Sequence, residues 1–235
     1  MSRLLASSAA IALLSTVAFA ADLPVPMEPM EEVVVAPGYS WTGVYVGGHG
    51  GWGWGDVDAD FANGTSFDDE PDGWFAGGQV GVNMQWNWFV AGVEGDASWS
   101  DIDGSTACPN AAFSCTTDVE WLASLRARVG AAFDRFLIYG TGGAGFAGVE
   151  YDAILNATGV SFGGGDDVTH VGWTAGGGIE IALTDHFTIK GEYLYYDLGD
   201  EPLTATSFGN PGTADLTIHT AKIGANFKFG GLGAP

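Results

Sequence analysis

Basic residues are scarce in this sequence of 235 residues: it has 7 Lys and Arg against 29 Asp and Glu, and its formal net charge is −22. So acidic a chain repels phosphate backbones, and we expect no nucleic-acid partner. Long apolar runs are also missing after residue 20. A membrane-spanning helix needs about 20 mostly apolar residues, so any later crossing of a membrane must be made by strands.

The first 40 residues indicate export. Arg3 precedes an apolar run that ends in the small-residue motif Ala-Phe-Ala at 18–20. This pattern predicts a signal peptide over residues 1–20, cleaved to leave Ala21 as the first mature residue. A single membrane anchor is the alternative, but the run is short and no stop-transfer charges follow it. Residues 21–40 contain four prolines and several glutamates, which predicts an extended periplasmic tether.

The two cysteines, Cys108 and Cys115, lie in one polar segment. In an exported chain they are expected to form a disulfide that pins a loop. A zinc or redox centre is the alternative, but no further Cys or His lies close to them in sequence. The sequence therefore predicts no metal site and no cofactor.

Residues 118–133 give the clearest structural signal. The odd positions from Val119 to Phe133 are all apolar. The even positions include the polar side chains Asp118, Glu120, Ser124, Arg126 and Arg128. A period of two predicts a strand with one apolar and one polar face. The run exceeds the roughly 9–11 tilted residues that cross a bilayer, and Trp121 and Phe133 place an aromatic ring near each end.

Seven other segments are also predicted as strands, although glycines blur the alternation of the one at 41–54. With the segment at 118–133 they make eight predicted strands, at residues 41–54, 73–86, 88–100, 118–133, 136–149, 168–183, 187–196 and 216–229. Their connections alternate between turns of a few residues and long acidic loops, as in outer-membrane barrels. The sequence therefore predicts an all-β fold: an eight-stranded antiparallel transmembrane β-barrel over residues 41–229. Short periplasmic turns, long extracellular loops and a C-terminal extension at 230–235 complete it.

The charges within the predicted strands lie on the polar faces. Ten of them are expected to face the lumen as an ion network: Glu94, Asp96, Glu120, Arg126, Arg128, Glu180, Lys190, Glu192, Lys222 and Lys228. Side chains just fill the interior of an eight-stranded barrel, and an unpaired ion there is strongly unfavourable. Five acids and five bases therefore predict salt bridges that close the lumen. The alternative is a water-filled channel with solvated charges.

The long loops carry most of the acids and no Lys or Arg. A hydrated, repulsive surface is the favoured interpretation, and bridging by Ca²⁺ or Mg²⁺ to lipopolysaccharide phosphates is the alternative. Residues 140–145 match the glycine pattern of dinucleotide sites, but more strand follows them instead of a helix. Ser98 and Ser124 are predicted to point inwards, and no nucleophile elbow is present, so we expect no enzyme.

Five motifs carry a resemblance to a known family: WTGVYVGG at 41–48, GVEGD at 92–96, LRARVG at 125–130, YGTGG at 139–143 and KGEYLYYDLG at 190–199. Through them the chain resembles the alphaproteobacterial outer-membrane immunogenic proteins, a porin-like branch of the OmpA-type barrels. The resemblance implies an abundant surface barrel that contributes to envelope integrity and host contact, and its expected partners are outer-membrane lipid and lipopolysaccharide. It also implies insertion by the barrel-assembly machinery.

The chain departs from the family pattern in two ways. Family members usually end on an aromatic residue, whereas here residues 230–235 follow Phe229. The peptidoglycan-binding domain of full-length OmpA proteins is also missing. The resemblance suggests instead that the mature amino terminus is joined to peptidoglycan, with Ala21 and Asp22 as the candidates. We therefore expect a non-enzymatic structural barrel, and a small passive-diffusion porin is the alternative.

Overall fold

A computed structural model describes residues 38–108, 110–161, 166–203 and 212–229. The predicted signal peptide, most of the predicted tether and the predicted extension at 230–235 lie outside these ranges. Within them, no helix is long and apolar enough to span a membrane.

The described chain is built from ten strands, eight long and two short. In chain order they are β1 (Gly43–Phe61), β2 (Ser66–Asp69), β3 (Asp72–Trp86), β4 (Phe89–Ala107), β5 (Phe113–Phe133), β6 (Phe136–Leu155), β7 (Val160–Ser161), β8 (Asp166–Ala182), β9 (Phe187–Leu203) and β10 (Gly212–Lys228). Tight turns join β3 to β4, β5 to β6 and β8 to β9. In the first two, Asn87 and Asp134 have φ values of 56° and 53°, a left-handed conformation that Asn and Asp tolerate well. We call the end of the strands that carries these tight turns the short-turn end, and the opposite end the long-loop end.

The eight long strands form a closed antiparallel ring. Each pairs with the next long strand along the chain, and β10 returns to pair with β1, from Tyr45–Lys228 to Phe61–Gly212. Closure removes the free sheet edges that a strand surrounded by lipid cannot tolerate. The predicted eight-stranded antiparallel barrel is confirmed.

The outer face of the ring carries an apolar belt between two aromatic rows. Its exposed aliphatic side chains include Val80, Val82, Met84, Val93, Leu125, Val129, Ile138, Ile179, Ile189 and Ile223. The row toward the long-loop end contains Trp54, Trp74, Trp99, Trp173 and Tyr193, and the row toward the short-turn end contains Trp86, Trp88, Phe89, Phe133, Phe187 and Phe229. Such rows mark the two interfaces of a membrane, so the strand segments between them are the membrane-spanning ones.

The strands continue well beyond the outer aromatic row. The sequence predicts a loop over residues 55–72, whereas β1 runs to Phe61. In this stretch acidic residues face outwards and apolar residues face inwards: Asp56, Asp58 and Asp60 alternate with Val57, Ala59 and Phe61. The period of two therefore persists while the outer residues change from aromatic to acidic. The predicted loops at 101–117, 150–167 and 197–215 are likewise partly strand.

We call the part of the strands beyond the outer aromatic row the extended wall. Bulges at its base reverse the predicted orientation of two side chains relative to the lumen. The register between β4 and β5 slips between Trp99 and Ile102, and the register between β5 and β6 slips between Val119 and Trp121. A bulge adds one residue, so the residues beyond it change faces. Val119 is consequently buried and Glu120 exposed. The prediction that Glu120 faces the lumen is wrong, because a period of two does not hold across a bulge.

Two apolar clusters fill the ends of the ring. The outer core, at the long-loop end, includes Ile102, Leu122, Tyr151, Leu198, Leu216 and Ile218. The inner cluster, at the short-turn end, contains Tyr39, Trp41, Val90, Ala132, Leu137, Tyr139 and Ala182. Along β5, Leu122 belongs to the outer core and Ala132 to the inner cluster, so Arg126 and Arg128 lie between the two.

Candidate functional site: the lumen of the barrel

Five strands place eight charged side chains together in the middle of the lumen. This lumen network consists of Glu94, Asp96, Glu180, Glu192, Arg126, Arg128, Lys190 and Lys222. All eight are buried. Charges this far from water need opposite charges and hydrogen bonds around them, and four acids against four bases provide a neutral set.

Arg126 lies at the centre of the lumen network. Its guanidinium contacts three carboxylates: Glu94 at 2.8 Å, Asp96 at 2.6 Å and Glu192 at 3.0 Å. Its Nε donates to the hydroxyl of Ser124 at 2.8 Å, and that hydroxyl donates to Asp96 at 2.7 Å. The planar fork of Arg126 is thereby fixed in orientation as well as in position.

The two lysines extend these contacts across the lumen. Lys190 donates to both carboxylate oxygens of Glu94, at 2.7 and 2.8 Å. Lys222 lies 3.1 Å from Glu192 and 3.5 Å from Asp96. Each of these carboxylates therefore contacts more than one cation, so the network depends on its members jointly.

Arg128 forms the part of the network nearer the short-turn end. It lies 2.8 Å from Glu180, and its Nη1 donates to the phenol oxygen of Tyr45 at 2.7 Å. The Tyr45 hydroxyl donates in turn to Glu94 at 2.7 Å. The guanidinium also lies 3.9 Å from the ring centre of Tyr139, a cation–π contact.

Two neutral lumen residues, Tyr45 and His49, are not identified by the sequence analysis. His49 Nε2 lies 2.7 Å from the hydroxyl of Ser98, a residue predicted to point inwards, and its Nδ1 contacts Gln79. The Gln79 amide donates to Asn226 at 2.7 Å. Asn226 shares the polar face of β10 with Lys222, so its position in the lumen was predictable. In β1 the glycines hide which face Tyr45 and His49 occupy.

Lys228 does not join the lumen network, contrary to the prediction. Its Nζ donates to the carbonyl of Ser40 and lies 4.0 Å from the ring centre of Tyr39. No ion pair joins it to a carboxylate of the described residues. Lys228 is the last residue of β10, beyond the other charged positions. The predicted network of five acids and five bases therefore loses one acid, Glu120, and one base, Lys228. Four acids and four bases remain.

Residues 39–41, which we call the mouth plug, close the lumen at the short-turn end. Trp41 is 1% exposed, its indole N–H donates to the carbonyl of Asp134 at 3.0 Å, and its main-chain N–H donates to Gln85 at 2.7 Å. The main-chain N–H of Tyr39 donates to the Asp134 carboxylate at 2.9 Å. The last residues of the predicted tether therefore pack against the barrel.

The other predicted site residues lie elsewhere. Cys108 and Cys115 form a disulfide at the long-loop end, where Cys115 is fully buried in the outer core. Ala21 and Asp22 lie outside the described residues. Among residues 38–108, 110–161, 166–203 and 212–229, no group of three or more His, Cys, Asp or Glu is placed to hold a metal ion.

Acids on the extended wall stand in register on neighbouring strands. Asp58 pairs in register with Asp68 on β2 and with Asp215 on β10, and Asp215 pairs with Asp200 on β9. Like charges directly opposite each other destabilise a sheet. Desolvation, with Asp68 next in importance, raises the pKa of Asp58. Desolvation, with Asp200 next, raises the pKa of Asp215.

These features define a class of protein. A closed ring of membrane-spanning strands, an apolar belt between aromatic rows, and charges that lie in the lumen and at the two ends outside the belt are the properties of a transmembrane barrel of the bacterial outer membrane. In such barrels the short turns are periplasmic and the long loops extracellular.

The chain belongs to the family described as the outer membrane protein beta-barrel domain, which matches residues 6–229. It is 34% identical over 234 residues to the 31 kDa outer-membrane immunogenic protein of Brucella melitensis, covering 93% of this chain and 96% of that one. It is 35% identical over 227 residues to the 25 kDa outer-membrane immunogenic protein of Brucella abortus, covering 94% and 95%. The resemblance found in the sequence and the location in the outer membrane are thereby confirmed.

A solved structure agrees with the fold. OprG from Pseudomonas aeruginosa superimposes with a TM-score of 0.55 over 80% of this chain and 97% of its own. The two sequences are 14% identical, so the similarity concerns the fold alone.

Proposed function

We propose that this protein is a closed, non-enzymatic barrel that supports the outer membrane and displays an acidic wall outside it. The observation that carries this proposal is the filling of the lumen at three successive levels. The mouth plug lies at the periplasmic end, the lumen network in the middle and the outer core at the extracellular end.

Each level opposes diffusion for a different physical reason. The outer core is apolar and offers ions no hydration. The charged side chains of the lumen network form ion pairs with one another, so they do not line a water-filled passage. The mouth plug places the indole of Trp41 in the periplasmic opening. A passive-diffusion porin needs a continuous water path through all three.

The same geometry supports a non-enzymatic role. The contact between His49 and Ser98 lies inside the lumen, and the partner of His49 Nδ1 is the amide oxygen of Gln79 instead of a carboxylate. A nucleophilic serine needs a histidine that an acid orients and a path for its substrate.

Conductance of the refolded protein in planar bilayers tests closure. We expect no steady current from the natural chain, and none from Trp41→Ala either, because two further levels remain. A steady current through the natural chain would support the porin alternative. A current only through Trp41→Ala would show that the mouth plug is the sole barrier.

We further propose that the periplasmic tail joins the barrel to peptidoglycan through Ala21 or Asp22. The mouth plug supports this idea, because Gln85 and Asp134 hold the chain where it leaves the barrel on the periplasmic side. Digestion of purified sacculi should release this protein with a muropeptide on Ala21 or Asp22. A free amino terminus together with an unmodified Asp22 on every copy would exclude the attachment.

The outer surface suggests the remaining partners. We propose that the apolar belt contacts outer-membrane lipid, that the acidic wall lies among the lipopolysaccharide headgroups, and that the barrel-assembly machinery inserts the chain. The supporting observation is the outer aromatic row, which places the wall immediately beyond the hydrocarbon.

A further inference from the structure

The extended wall has a gap between β2 and the outer end of β4, which we call the seam. In the described chain β2 pairs only with β1, and the pairing of β3 with β4 ends at Asp72 and Asp103. Beyond Asp103, β4 pairs with β5 on one side and with no strand on the side of β2. Two strand edges therefore face each other without backbone pairing.

A cavity of about 430 Å³ occupies this seam. Five carboxylates line it, together with Gly104: those of Asp68, Asp69, Glu70, Asp72 and Asp103. Four of the five are exposed at the rim, and none of the lining residues is basic. The volume lies in the range of small-molecule sites, roughly 300–1,000 Å³.

Asp69 is the buried member of this seam pocket. It is 6% exposed, and its Oδ2 has no hydrogen-bond partner among the described residues. The carboxylate fits because Gly104 has no side chain: a Cβ there would lie 2.5 Å from Oδ2. Burial raises the pKa of Asp69, although the Thr117 hydroxyl and the Glu70 amide act in the opposite direction. A buried carboxylate oxygen without a donor is costly, and Oδ2 of Asp69 is such an oxygen unless a ligand supplies the donor.

The arrangement of the acids favours an extended cation over a metal ion. Ca²⁺ gathers six to eight oxygens at about 2.3–2.6 Å around one point. In the described residues no three acids converge in that way, and those of the seam pocket are spread around a larger space. Several ammonium groups on a flexible aliphatic chain match such a distribution of charge.

We propose that the seam pocket binds a small aliphatic polyamine, with one primary ammonium group against Asp69 and the others against the acids of the rim. The site is open to the outside of the cell and independent of the lumen. A polyamine there would join β2 to β4 through their side chains, where the backbone leaves them unpaired.

Calorimetric titration of spermidine into the refolded full chain in detergent, at low salt and neutral pH, tests the proposal. We expect one bound molecule per chain. Asp69→Asn should weaken binding at least about tenfold, because it removes the buried charge. Gly104→Ala should also weaken binding, because its Cβ displaces the Asp69 carboxylate while every charge remains.

Asp200→Asn is the matched control. It removes one acid from the same wall but outside the seam pocket, so spermidine affinity should change by less than about twofold. If Asp200→Asn and Asp69→Asn weaken spermidine binding equally, the binding is diffuse electrostatic attraction to the wall, and the proposal is overturned. Unchanged affinity in Gly104→Ala would also overturn it, and this variant decides the matter if Asp69→Asn fails to fold.

Calcium provides the last comparison. Heat from CaCl₂ that depends on Asp69 and persists in saturating spermidine would identify a metal site and overturn the polyamine. The titrations test the seam pocket, and bilayer conductance tests the lumen. The polyamine proposal can therefore fail while the proposed closed lumen stands, and the reverse is also true.

Discussion

Two arginines in ion pairs illustrate how much surroundings matter to a single residue. Arg126 has no exposed side-chain surface and contacts three carboxylates. Arg135 pairs with Asp185 between two periplasmic turns, where the two side chains are 46% and 77% exposed. In the first case water cannot replace the lost partner, and in the second it can.

Replacement of each arginine by Met should therefore have very different effects. Arg126→Met leaves three buried carboxylates short of positive charge, and we expect a loss of about 3–5 kcal/mol in the free energy of unfolding. Arg135→Met, the matched control, should cost no more than about 1 kcal/mol. Urea unfolding of the refolded barrel in lipid measures both. Similar losses in the two variants would show that the lumen network contributes little to stability.

Asp215 gives a prediction for pH. Its pKa is raised above the ordinary 3.8, with desolvation as the main cause and Asp200 next. The folded state therefore binds the proton more readily than the unfolded state, so the local destabilisation is present at neutral pH. It is relieved as the pH falls through the raised pKa toward 3.8.

Asp215→Asn should consequently stabilise the outer ends of β9 and β10 at neutral pH. The expected gain is about 0.2–1 kcal/mol, typical of a cross-strand pair. Amide hydrogen exchange, corrected for intrinsic rates, should show protection rising in the natural chain as the pH falls, and rising less in the variant. The same pH dependence in both would contradict the prediction.

Sequence alternation identified lumen residues only where side chains reveal the two faces. Arg126 and Arg128 alternate with apolar neighbours along β5, so their facing was predictable. Tyr45 and His49 lie in a strand rich in glycine, which has no side chain to mark a face. Glu120 follows the alternation in sequence, but the adjoining bulge turns it outwards.

Among the elements, the mouth plug has the most distinct test. Trp41 is fully enclosed, and its truncation to Ala should remove about 3–5 kcal/mol of docking energy. Cleavage of residues 38–42 by a broad-specificity protease should then become faster by roughly a hundredfold to a few thousandfold, because the undocked population rises by that factor. The rest of the barrel should remain intact.

Trp88→Ala is the control for the mouth plug. Trp88 lies at the same end but is 64% exposed on the outer surface. Mass spectrometry of the digests should show little change in this variant. A plug equally resistant in Trp41→Ala would mean that the hydrogen bonds of residues 39–41 suffice without the indole.

The ends of the strands were predicted well at the short turns and poorly at the long loops. Asn87 and Asp134 mark abrupt turns that any reading of the sequence can detect. The acidic end of β1 resembles a loop in composition, yet it buries an apolar residue at every second position. Composition was misleading there because the surroundings change from lipid to water while the strand continues.

On the scale of the whole molecule, most charges of the described residues lie in two regions. The lumen network is neutral, whereas the extracellular wall holds acids that face one another across strands. Buried pairs are poorly screened by salt, and exposed like charges are screened well.

Stability should therefore rise with salt. Between low salt and about 1 M NaCl the Debye length falls to roughly 3 Å, and we expect the free energy of unfolding to increase by about 1 kcal/mol as the repulsion is screened. The double variant Asp58→Asn, Asp215→Asn should show a smaller increase, and Arg126→Met should show the same increase as the natural chain. A fall in stability with salt would indicate that attractive surface pairs dominate.

The extended wall also determines what another molecule meets at the cell surface. Asp58, Asp215 and Asp200 are neighbours in space, but they come from three strands that are separated along the chain. An antibody that covers them therefore recognises an assembled epitope, and no single linear peptide reproduces it. Sera raised against short peptides from this end should bind the denatured chain better than the living cell.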